Sequence, residues 1–204
     1  MMPNQTEMTA RGARMYVDDL FGALERLDMK HLDDAVELVA SRIRNGRSIF
    51  IAGNGGGSSV AEHMACDWRA AARHAGHRIG EISSLTENTA RITAIANDYC
   101  YEAIFEHQLV ERCRSGDLLV CLSVSGASEN VLRAASSARE SGVEVLSLVG
   151  RISPLSELSD LAVHLDVHGD YGVTEDLQSL FTHMVARVVR QVSTHRASAE
   201  KSLR

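Results

Sequence analysis

His63 and Asp67 stand four residues apart in a stretch with helical spacing. Both side chains therefore leave one face of the helix, where an imidazole and a carboxylate can reach one ligand or one metal ion. Near the C-terminus, Glu175, Ser179 and His183 fall at i, i+4 and i+8 of another helical pattern. Glu175 and His183 lie about 12 Å apart along such an axis, so sharing a small ion would require both side chains to converge. A third group is a turn directly after an apolar run, where Ser123, Ser125 and Ser128 accompany the open amides of a helix start. Hydroxyls and amides in that arrangement can hold a phosphomonoester, which needs several donors. Each group also has a plainer reading: an exposed i,i+4 pair, a satisfied core histidine, and an ordinary N-cap at Ser128.

The elements that must position these groups are organised around residues 48–68. Ile49, Phe50, Ile51 and Ala52 suit a strand buried on both faces, and Gly53-Asn54-Gly55-Gly56-Gly57 breaks it. Ser58 and Ser59 are good N-caps for the helix carrying His63 and Asp67. Strand, glycine turn and helix is an anion-holding arrangement, although no Gly-Lys-Ser/Thr follows and the third glycine of a dinucleotide fingerprint is missing. Before this unit, helices are expected at 7–27 and 32–43. After it come a weak strand at 81–84, helices at 88–96 and 101–113, and strong strands at 118–123 and 143–149. A helix at 129–141 lies between those two strands. The remainder reads as a helical turn at 153–158, a strand at 161–167, a loop at 168–172, a helix at 174–192 and a frayed polar tail. Alternating helices and apolar strands predict a three-layer αβα sandwich with a mostly five-stranded parallel sheet, in flavodoxin-like order, preceded by two N-terminal helices. Both special turns then lie beyond the carboxyl ends of strands, the edge at which such sheets bind ligands.

Composition narrows the function classes. The chain has 204 residues, which suits one domain over 1–204, with leading helices at about 7–45 and a core at about 47–195. Net charge of -6 and 4% aromatics give no basic stripe and few stacking surfaces, so nucleic acid is not an expected partner. No run of 18 apolar residues occurs, so no membrane partner is expected and the cytoplasm is the expected location. Cys66, Cys100, Cys113 and Cys121 show no CxxC spacing and read as reduced core residues.

The segments GNGGGSSVAEHMACD, AIANDY and LSVSGASENV, followed by a last helix with Glu175 and His183, resemble the sugar isomerase (SIS) domain family in order and spacing. The resemblance spans nearly the whole chain and is nearest to the phosphoheptose isomerases. It implies an aldose–ketose isomerase that converts sedoheptulose 7-phosphate to D-glycero-D-manno-heptose 7-phosphate through an enediolate, with a non-catalytic sugar-phosphate-binding or protein-binding regulator of the initiator-associating type, or an isomerase of another ketose phosphate, as the alternatives. It also implies substrate contacts at Asn54, Gly55, Gly56, Asp67, Asn97, Asp98, Ser123, Val124, Ser125, Ser128 and Glu175. One zinc ion per subunit is implied at His63, Asp67, Glu175 and His183, with Asp67 and His183 as the acid–base pair, no nucleotide cofactor, and a homotetramer. The chain departs from the family pattern at Asp67, where Glu is usual, at Glu175, where Gln is usual, at Val124 (Thr) and at Gly57 (Ser).

Overall fold

Alternation along the strands decides which layer each side chain meets. In β1 (Ile49–Gly53), Ile49 and Ile51 join one core cluster while Phe50 and Ala52 join the other. In β3 (Leu118–Ser123), Leu118, Val120 and Leu122 take the first side and Leu119 and Cys121 the second. With β2 (Ile82–Ser84), β4 (Glu144–Val149) and β5 (Leu161–His164) they form a parallel five-stranded sheet in the order β2-β1-β3-β4-β5. The order reverses between β1 and β3, so the turns after these two strands flank the crevice of the sheet. The computed structural model describes residues 5–165 and 169–202, with side chains described over 12–165 and 169–191.

One face is covered by α1 (Gln5–Arg26), α2 (Met29–Arg44), α3 (Gly56–His74) and α8 (Tyr171–Ser202). The other carries α4 (Thr89–Asp98), α5 (Glu106–Arg112), α6 (Glu129–Glu140) and the short α7 (Pro154–Leu158). Burying each large apolar side chain contributes about 1.5–3 kcal/mol, and the residues that fill the interface of α3 and α8 include Met64, Trp68, Phe181 and Val185.

Several boundaries differ from the sequence expectation. Helix α3 starts at Gly56 with Gly55, at positive φ, as its N-cap, not at Ser58–Ser59: Gly56 and Gly57 already belong to the helix. The expected helix at 101–113 divides into a 3-10 turn, Tyr101–Ala103, and α5. Ala103, Ile104 and Phe105 are all buried, and three consecutive inward residues cannot face one core from a single α-helix. Helix α8 begins at Tyr171, because Asp170 caps it: its Oδ1 accepts from Val173 N at 3.1 Å and its carbonyl from Thr174 Oγ1 at 2.7 Å. It is helical to Ser202, with neither Gly nor Pro after residue 172 to interrupt it. Strand β5 stops at His164, and 166–168, where the expected strand ends and loop begins, lie outside the described residues. Cys113 and Cys121 are buried, whereas Cys66 is exposed on the outer face of α3 and Cys100 is intermediate.

Candidate functional site

The glycine turn is shaped by two close approaches and one positive φ. A Cβ on Gly53 would stand 2.7 Å from the Gly57 carbonyl, so β1 can end against the start of α3 only without a side chain. Gly55 has φ of 56°, a conformation that L side chains rarely adopt. The space a Gly56 side chain would fill holds the Glu175 carboxylate, which therefore lies directly on the first turn of α3. Asn54 is fixed by a reciprocal amide pair: Asn54 Nδ2 donates to Asn130 Oδ1 and Asn130 Nδ2 to Asn54 Oδ1, each at 2.9 Å. Tyr101 adds its hydroxyl to Asn54 Oδ1 at 3.1 Å. The Asn54 side chain thus ties the glycine turn to α6.

In the second turn, Ser123 Oγ accepts from Gly126 N at 3.0 Å and Ser125 Oγ accepts from Ala127 N at 3.3 Å. Each hydroxyl accepts from the backbone and keeps its own proton to donate. Ser128 heads α6 without a side-chain capping bond, so its hydroxyl is not committed to the helix end. Gly126 has φ of 63°, and a side chain there would overlap Ser153.

The two turns enclose a cleft of about 110 Å³ lined by Asn54, Ser123, Val124, Ser125, Ser128 and Glu175 from the predicted set. Tyr171, Leu122, Gly57 and Gln178 complete its walls. Gln178 is 1% exposed. Its Nε2 donates to the Leu148 carbonyl at 3.0 Å, which fixes the amide's orientation, and its Oε1 has no partner. Gly55 and Gly56 shape the turn without lining the cleft. Asn97 and Asp98 also stand apart from it: both are exposed at the end of α4, with Asn97 Nδ2 donating to Asp98 Oδ1 at 2.9 Å.

His63, Asp67 and His183 form a separate cluster in which one ligand atom from each lies within 4.8 Å of the others. His63 Nε2 is 3.1 Å from His183 Nε2 and 3.9 Å from Asp67 Oδ2. What holds α3 and α8 in this register is Trp68, next to Asp67. Its Nε1 donates to the Thr182 carbonyl at 3.0 Å, and its ring meets Phe181 edge-on at 6.3 Å. Glu175 is not part of this cluster; two helical turns separate it from His183, and its carboxylate is at Gly56. Among the described residues the cluster thus holds two imidazoles and one carboxylate, not the four-residue set expected.

Asn130, Gln178, Tyr171 and Trp68 were not singled out by the sequence reading. For Asn130 and Gln178 a signal existed, a polar residue at a position the helical pattern assigns to the core. Tyr171 and Trp68 gave none beyond proximity to the motifs.

Residues 15–150 match the family model described as SIS domain. Phosphoheptose isomerase of Mycobacterium tuberculosis (strain ATCC 25177 / H37Ra) is 32% identical over 192 residues, covering 89% of this chain and 94% of that protein. The Campylobacter concisus phosphoheptose isomerase is 36% identical over 151 residues, covering 74% of this chain and 75% of its own length. The structure of phosphoheptose isomerase GmhA from Neisseria gonorrhoeae superposes with a TM-score of 0.80 at 26% identity, covering 92% of this chain and 100% of that one.

Proposed function

The chain belongs to the SIS-domain family and within it to the phosphoheptose isomerases, and from that premise we propose that it interconverts sedoheptulose 7-phosphate and D-glycero-D-manno-heptose 7-phosphate. The observation that carries this reading is the separation of two chemically distinct sites along one pair of helices. The serine cleft offers phosphate donors at one end, and the His63–Asp67–His183 cluster stands further along. From Gly57 to His63 is about 9 Å along α3, and from Glu175 to His183 about 12 Å along α8. A seven-carbon sugar phosphate can bridge that span with its phosphate in the cleft and its carbonyl end at the cluster; a triose phosphate cannot.

In this reading Ser123, Ser125, Ser128 and the amides opening α6 hold the phosphate. His183 and Asp67 form the acid–base pair. One removes a proton from C1 of the ketose and the electrons move onto the C2 oxygen to give an enediolate; the other transfers the hydroxyl proton from O1 to O2, and C2 takes up a proton as the carbonyl re-forms at C1. Glu175, bordering both the glycine turn and the cleft, faces the sugar chain between the ends. Asn54 positions the turn, and Asn97 and Asp98 are assigned to a site completed by another subunit.

The cluster also suits zinc. Ligands in a tetrahedral zinc site stand about 3.4 Å apart for bonds of about 2.1 Å, and the distances of 3.1 and 3.9 Å bracket that spacing. His63, Asp67 and His183 would hold the ion with one position left open, and when bound it would supply Lewis-acid polarisation of the substrate oxygens.

Exposed Met15, Val17 and Phe21 on α1 support assembly into a homo-oligomer, taken as a tetramer. Among the described residues no helix is long and apolar enough to cross a membrane. The cysteines are free, which agrees with a cytoplasmic location. The unit is taken as one domain over 1–204.

The test is exchange of a C1 proton of sedoheptulose 7-phosphate, and incorporation of deuterium at C2 of the heptose product, in deuterated buffer, with and without added zinc. Wild type should exchange and isomerise. His183→Ala should lose about 10²–10⁴ in kcat with the melting temperature unchanged, because His183 is exposed. Binding without exchange in wild type would favour the non-catalytic module, and no binding at all would overturn the substrate assignment.

A further inference from the structure

Tyr16 reaches from α1 to the far end of the chain. Its hydroxyl donates to Asp176 Oδ2 at 2.8 Å. Its ring lies on Gly172, where an added Cβ would meet Tyr16 Oη at 3.0 Å and Cε2 at 3.3 Å. Both partners belong to the opening turns of α8, which also carry Tyr171 and Glu175 to the cleft wall. The inner side of these turns is packed through Val173 and Thr174, buried at 1% and 0% exposure. The outer side is exposed at Tyr171 and Asp176, and Tyr16 reaches it from α1. Three carboxylates crowd this helix start, and the phenol is a donor suited to them. Desolvation, then the hydrogen bond and charge of Asp176, then the charges of Asp170 and Glu175, push its pKa up to about 12, so it keeps its proton through the neutral range.

We propose that Tyr16 is a positioning residue for the cleft: by pinning Asp176 and packing on Gly172 it fixes the first turns of α8, and with them the place of the Glu175 carboxylate over Gly56. The seat of α1 on the domain then sets the geometry of a site that none of the described side chains of α1 lines. The kinetic arm of the test rests on the isomerase reading; the structural arm does not.

Amide hydrogen exchange and steady-state kinetics on the full chain decide it, using Tyr16→Phe, Asp176→Ala and Asp176→Asn. In Tyr16→Phe and Asp176→Ala, exchange at residues 175–178 should quicken about five-fold, the scale of one net hydrogen bond, while the buried stretch around Val185 stays as in wild type. KM for sedoheptulose 7-phosphate should rise by a similar factor, with kcat within about two-fold. Asp176→Asn, which keeps an acceptor, should remain near wild type. The double variant Tyr16→Phe/Asp176→Ala should be no worse than either single one, since both remove the same contact. Unchanged exchange overturns the proposal, as does faster exchange with KM unmoved, or a lower melting temperature with neither change. Wild type that turns over no sedoheptulose 7-phosphate refutes the isomerase reading instead and leaves the exchange data to judge Tyr16.

Discussion

Ser123 and Ser125 hold their own turn while facing the cleft, so removing their hydroxyls should be felt twice. Ser123→Ala/Ser125→Ala loses two ligand donors and two acceptors for Gly126 N and Ala127 N. We expect KM for the sugar phosphate to rise at least about ten-fold, the equivalent of about 1.4 kcal/mol, with inhibition by inorganic phosphate weakened in parallel and kcat much less affected. Glu175 has the opposite sign, because it brings a carboxylate into a cleft suited to an anion. Glu175→Gln should tighten inorganic phosphate by about three- to ten-fold, as relief of a half-screened repulsion of about 1 kcal/mol would give; calorimetric titration measures it. These residues mark what sequence could and could not reveal at this scale. The i,i+4 spacing of His63 and Asp67 sufficed, since helical geometry brings such neighbours together. The i,i+8 spacing of Glu175 and His183 put both on one stripe but could not say that Glu175 would turn to Gly56, because that depends on a missing side chain on another element.

At the scale of elements, the meeting of β1, α3 and α8 is governed by which glycine faces something rigid. At Gly53 a methyl group would meet the Gly57 backbone, carbonyl carbon at 2.8 Å and oxygen at 2.7 Å, and neither can move without moving α3. At Gly56 it would meet only the end of the flexible Glu175 side chain. Gly53→Ala should therefore destabilise by about 1–3 kcal/mol, as overpacking does, seen as a lower melting temperature. Gly56→Ala should melt within a few degrees of wild type yet change the KM and phosphate affinity much as loss of Glu175 does. Equal melting temperatures for the two variants would contradict this division. The elements themselves were largely legible, because apolar strands and 3.6-residue periodicity are local signals. Their ends were less so: the start of α3 at Gly56 and of α8 at Tyr171 are fixed by tertiary contacts and by the Asp170 cap, not by propensity.

For the whole molecule, the parallel sheet and its switch point followed from the order of the elements, since a strand, helix, strand alternation leaves few ways to cover an apolar sheet. What one sequence does not disclose is which outer surface stays wet. Helix α1 packs on the domain through Leu20, Ala23, Leu24 and Tyr16, yet leaves Met15 at 57%, Val17 at 46% and Phe21 at 63% exposure. Val17 and Phe21 are one helical turn apart, so they form a continuous apolar strip on the outward face. In a homo-oligomer that strip is where a second copy gains most by excluding water, and a charge placed there would have to be desolvated to preserve the contact. Phe21→Glu should consequently reduce the sedimenting mass while leaving the helical circular dichroism intact. If the mass is unchanged, this strip is not a subunit contact. Because Tyr16 immediately precedes Val17 on this helix, loosening α1 should also relax the first turns of α8. The dissociated variant should then show the raised KM of Tyr16→Phe, which would tie the assembly surface to the site.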